Sequence, residues 1–62
     1  MKKIQVYLKN MKEPTEISGD RIDILEYERD GVEYYQIRYF RRGFSKSIYI
    51  EKADVKKIIE QE

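Results

Sequence analysis

The chain has 62 residues, with 13 basic and 12 acidic side chains, a net charge of +1, and neither cysteine nor histidine. A chain this short buries only about 60% of the surface its unfolded form exposes, so residues 1–62 are read as a single small domain with a thin core. Disulfides and the usual thiolate or imidazole metal sites are excluded, and the total charge points to no partner.

The charges nonetheless fall in blocks. Residues 1–12 hold four lysines and no acid, residues 13–33 hold eight acids against Arg21 and Arg29, and residues 34–49 hold four basic residues and no acid. Oppositely charged strands lying side by side would produce this pattern, and so would a basic stripe for a phosphate backbone. Forty per cent charged residues would suit a disordered chain, but six tyrosines and two phenylalanines argue for a fold.

The chain opens with Met1-Lys2-Lys3 and passes directly into Ile4-Gln5-Val6-Tyr7-Leu8. Lys9 and Lys12 interrupt this segment before a signal-sequence core of about seven apolar residues can form, and no run approaches the ~18 apolar residues of a membrane span. The expected compartment is the cytoplasm, with no membrane partner. Ile4, Val6 and Leu8 alternate with Gln5, Tyr7 and Lys9, which predicts a strand near residues 3–9. Asn10 and Pro14 bracket a turn, after which Thr15-Glu16-Ile17 resumes as a strand over 15–18. Setting Leu8 opposite Ile17 leaves a four-residue loop and places Lys9 against Glu16. Ser18-Gly19-Asp20 reads as a bend or bulge.

Asp30-Gly31 and Arg42-Gly43 are the strongest local signals, because glycine turns between alternating apolar residues mark hairpins. They predict strands over 21–29, 32–41 and 44–50. A two-residue loop at Asp30-Gly31 sets Tyr27 opposite Tyr34, Ile24 opposite Ile37, Asp23 opposite Arg38 and Ile22 opposite Tyr39; it also sets Glu28 against Glu33. The same loop at Arg42-Gly43 sets Ile37 opposite Ile48 and Tyr35 opposite Ile50, although arginine is ill-suited to a positive φ. From Glu51 onward the period changes. Val55, Ile58 and Ile59 stand at i, i+3 and i+4, which predicts an amphipathic helix over 52–61. The expected fold class is therefore α+β: a four- to five-stranded antiparallel meander, flat or curled, with one C-terminal helix packed on one face.

Catalytic chemistry has little to build on. Ser18, Ser45 and Ser47 have no histidine to activate them, and alternation divides the acids between two faces. No calcium loop or phosphate-binding glycine motif is present. The expectation is no enzyme, no cofactor and no metal. What remains is an aromatic face. Alternation puts Tyr27, Tyr34, Gln36, Arg38, Phe40 and Tyr49, with Leu25, on the side turned away from the helix. Tyrosine and phenylalanine favour strands for purely structural reasons, but tyrosine with arginine is also the composition of binding hot spots. Tyr27, Tyr34, Arg38, Phe40 and Tyr49 are thus the expected partner-binding residues of a small non-catalytic interaction module, with a protein or a second copy of the chain as partner. The alternative is nucleic-acid binding on the same face with Arg41, Arg42 and Lys46. Tyr39-Phe40-Arg41-Arg42-Gly43-Phe44 resembles in composition the basic-aromatic motif of RNA-recognition sheets, but its spacing differs and that fold needs two helices on four strands. A meander followed by a short helix also resembles the layout of many small bacterial and phage accessory proteins, an analogy of fold that says little about function.

Overall fold

The computed structural model of the protein describes residues 1–61. Six strands and one short 3-10 turn follow in order: β1 (Lys2–Leu8), β2 (Thr15–Gly19), β3 (Arg21–Arg29), β4 (Val32–Arg41), β5 (Phe44–Glu51), the turn Lys52–Asp54, and β6 (Val55–Gln61). They form two three-stranded antiparallel sheets, sheet I with order β2-β1-β6 and sheet II with order β3-β4-β5.

Sheet II is the expected meander. Asp30 and Gly31 both take positive φ, 51° and 80°, the mirror-image turn that matches strand twist. The register follows as expected: Tyr27 faces Tyr34, Ile24 faces Ile37, Asp23 faces Arg38 and Ile22 faces Tyr39. Across the second turn Ile37 faces Ile48 and Tyr35 faces Ile50. The difficulty with Arg42 disappears, because only Gly43 of that pair takes positive φ, at 74°.

The α+β class is overturned: among the described residues there is no α-helix, and the segment expected to form one is the 3-10 turn followed by β6. The reason is a bulge. Val55 faces Leu8 and Ile58 faces Val6, while Lys57 faces Tyr7, so Lys56 is an extra residue in the ladder. An inserted residue turns an i, i+3 spacing into two positions on one side of a strand, which imitates a helical stripe. Ile59 falls on the opposite side, facing Gln5. A β-branched segment beside an unpaired edge of β1 gains a backbone ladder there, whereas a helix of this length would be marginal alone.

The single continuous meander is corrected as well. At Gly19-Asp20 the chain leaves one sheet for the other, with the Asp20 N–H donating to the Phe40 carbonyl at 2.7 Å. Gly19 is required at this corner, since a Cβ would lie 2.7 Å from that same carbonyl oxygen. The expected β1–β2 register also differs. Ile17 faces Ile4, not Leu8, and Glu16 faces Gln5, not Lys9. The far end of β1 belongs to β6, and the Lys9 N–H is taken by the Asp54 carbonyl at 3.0 Å. A slip of an even number of residues keeps every side chain on its expected face.

The sheets pack through their inner faces. Ile4, Val6, Ile17 and Ile37 are buried, and Leu8, Ile22, Ile24, Tyr39, Ile48, Ile50, Val55 and Ile58 pack around them. Both sheets therefore keep one face turned outward.

Candidate functional site

Alternation assigns the outer face of sheet II. It carries Arg21, Asp23, Leu25, Tyr27 and Arg29 from β3, Val32, Tyr34, Gln36, Arg38 and Phe40 from β4, and Ser45, Ser47, Tyr49 and Glu51 from β5. Its centre is a cluster of three rings. Tyr27 lies 6.1 Å from Tyr34 and 5.5 Å from Tyr49 between ring centroids, tilted against the first and edge-on to the second. These are the geometries in which ring edges and faces attract. With Arg29, the three tyrosines line an open depression of about 400 Å³. None of their hydroxyls hydrogen-bonds to a described residue.

Arg38 sits between Asp23 and Ser47 in the ladder. Its neighbouring carboxylate is already engaged, because Arg21 Nε donates to Asp23 Oδ1 at 3.2 Å. Arg38 is exposed and makes no ion pair among the described residues. Phe40 stands at the far end of the face, half-buried, with the Arg21 guanidinium 5.4 Å over its ring. Of the five expected residues, Tyr27 packs against both Tyr34 and Tyr49, Arg38 lies two positions further along β4 than the residue facing Tyr49, and Phe40 lies two further still, beneath Arg21. Val32 and Arg29 share the face and were missed, although the same alternation assigns them.

The basic residues Arg41, Arg42 and Lys46 are not brought to this face. Arg41 and Lys46 have the parity of Tyr39, on the inner side of sheet II. Arg41 donates from Nε to the Ser18 carbonyl at 2.9 Å and lies 5.3 Å over the Tyr39 ring, so it joins the two sheets. Arg42 is exposed in the turn.

A second polar cluster closes the opposite end of sheet II. Glu26 and Glu33 converge there beside Tyr35, and Lys52 from the 3-10 turn answers them. Its Nζ donates to Glu26 and, at 3.1 Å, to Glu33, and lies 5.3 Å from the Tyr35 ring centroid. Hydrogen bonds to Glu26 first and Glu33 second hold the Lys52 pKa above its ordinary value. The lysine thus offsets the like charges of Glu26 and Glu33. Among the described residues no group of acidic side chains is arranged to hold a metal ion, and no helix is long and apolar enough to cross a membrane. Comparison of the chain with protein-family models, with curated proteins and with solved structures finds no match.

Proposed function

We propose that the protein is a small non-catalytic interaction module that holds a protein partner, or a second copy of itself, against the outer face of sheet II. One observation carries this reading: of the large apolar side chains left exposed, Leu25, Tyr27, Val32 and Tyr49 stand together on that one face. Contiguous apolar surface of this kind marks interaction sites, and tyrosine contributes contact area at low entropic cost. Arg38 supplies a directional anchor for a partner's carboxylate.

Replacing Arg38 and Tyr49 together by alanine should leave the far-ultraviolet circular dichroism spectrum unchanged and abolish binding of whatever partner, another protein or a second copy, is held on that face. Unchanged binding by the double variant would place the active surface elsewhere. Nucleic acid is the competing ligand, on the ground that exposed rings beside a free arginine suit base stacking. Binding to phosphates weakens steeply as salt rises, whereas an aromatic protein interface responds little, so a salt titration of the complex separates the two. The commitment of Arg41 to Ser18 favours the protein reading.

A further inference from the structure

Each sheet leaves two edges, β2 and β6 in sheet I and β3 and β5 in sheet II. Three of them are blunted in the ways that natural sheets use against edge pairing. β2 has five residues and is tied to β4 by Arg41 on the Ser18 carbonyl. β3 carries a charge at Arg21, Asp23, Glu26, Glu28 and Arg29. β6 is interrupted by the bulge at Lys56, followed at once by Lys57. β5 has none of these protections. Its eight residues pair with β4 in unbroken register, contain neither proline nor glycine, and hold a single charge, Lys46, before the terminal Glu51.

We propose that the open edge of β5 pairs antiparallel with the same edge of a second copy, with Ser47 opposite Ser47, so that the two sheets II become one continuous six-stranded sheet. This stands independently of any binding role for the tyrosine face. The two-residue loop makes Arg41 and Phe44 a hydrogen-bonded pair, and antiparallel ladders alternate. Ser45, Ser47 and Tyr49 therefore turn their N–H and C=O groups to the open edge. A partner strand must keep inner residues against inner residues, which allows shifts of two only. With Ser47 opposite itself, Ser45 meets Tyr49, Lys46 meets Ile48, and Phe44 meets Ile50. Phe44, 52% exposed in the single chain, gains an apolar neighbour. The next register toward the hairpin sets Lys46 against Lys46, and the next one away leaves Phe44 against Lys52. The strand is thus complementary to itself in one register, which is the reason for choosing a second copy as its occupant.

Such pairing is closed by a two-fold axis and stops at two copies. The axis runs through the sheet, so both tyrosine clusters lie on the same side of the assembly. One strand seam buries less than the ~1,200–2,000 Å² of a standard stable interface, so association is of the transient, concentration-dependent class.

Sedimentation equilibrium of the native chain should show the mass doubling as concentration rises toward millimolar. Ser47→Pro removes an N–H that faces the open edge and leaves the ladder to β4 intact, so it should hold the mass at one chain with a native circular dichroism spectrum. Should proline disturb the fold, Ser47→Cys provides a second reading, since the chain has no other cysteine. Mild oxidation should link Ser47→Cys chains in pairs and leave Ser45→Cys chains, which face Tyr49, unlinked. Tyr34→Ala separates the two routes, since association that survives it in a folded chain runs through the strand edge and not the tyrosine face. A native chain that stays at one mass to millimolar concentration overturns the proposal, as do equal linking of both cysteine variants or masses beyond two copies. Loss of association in Tyr34→Ala with a normal dimer in folded Ser47→Pro also overturns it, and would assign self-association to the tyrosine face.

Discussion

On the outer face of sheet I, Tyr7 has the Lys57 ammonium 4.8 Å over its ring and donates to Gln5 Oε1 at 3.4 Å, while Gln5 Nε2 donates to Glu16 Oε2 at 3.2 Å. On the outer face of sheet II, Tyr27 packs against the rings of Tyr34 and Tyr49, and Arg38 makes no ion pair among the described residues because the facing Asp23 is held by Arg21. Both faces put tyrosine on the solvent side of a strand. In one the neighbours supply charge and hydrogen bonds, and the ring is half-covered; in the other the rings have only one another, and Tyr49 stays 53% exposed. Aromatic content alone therefore does not mark an interaction surface. What distinguishes the second face is that Arg38 and the hydroxyls of Tyr27, Tyr34 and Tyr49 have no ion-pair or hydrogen-bond partner among the described residues, although Arg21 and Asp23 on the same face pair with each other.

The largest effect should come from the core both faces depend on. Ile37 is fully buried at the centre of sheet II, and Ile37→Ala should cost about 2–5 kcal/mol, a large share of the stability of so small a domain. Thermal melting would report it, and a near-native midpoint would mean that the two sheets do not share one core. Next comes the contrast itself. Tyr7→Ala loses a cation–π contact and a hydrogen bond, together about 1–2 kcal/mol. Tyr49→Ala should change stability by only about 0.5 kcal/mol, as exposed substitutions do. Equal shifts in the denaturant midpoint would erase the distinction between the faces.

The smallest effect concerns the acidic end of sheet II. Lys52 binds its proton more tightly folded than unfolded, so its contribution is fully present below the ordinary lysine value of 10.5 and fades as pH rises through the higher folded value. The melting-point difference between the native chain and Lys52→Met should hold steady from neutral pH upward and shrink only at strongly alkaline pH. A difference that is already lost at neutral pH would show that Lys52 does not answer Glu26 and Glu33.

Sheet II was legible in the sequence down to its residue pairs because two-residue loops leave a hairpin no freedom of register. The tyrosine face followed from the same alternation. Sheet I was less legible for two physical reasons. β1 pairs along both of its edges, with β2 and with β6, and the sequence offers no tight turn to fix either register. β6 carries Val55 and Ile58 at a helical spacing that only a bulge, invisible without its partner strand, makes compatible with a sheet. Within the site, the free state of Arg38 was hidden because Asp23 has two arginines in reach, one along its own strand and one across the ladder, and it pairs with Arg21.

The placement of β1 between β2 and β6 has a kinetic consequence. Sheet II is built from neighbouring hairpins and can assemble from local contacts, whereas β6 must return from the far end of the described chain to close sheet I. Long-range closures of this kind are slow. With β6 docking last, substitutions along it should speed unfolding and barely alter the folding rate, while substitutions in the β3–β4 hairpin should slow folding. Until that closure, Ile4, Val6 and Leu8 lie on a strand with one unpaired edge, and this interval is when the refolding chain is most exposed to aggregation.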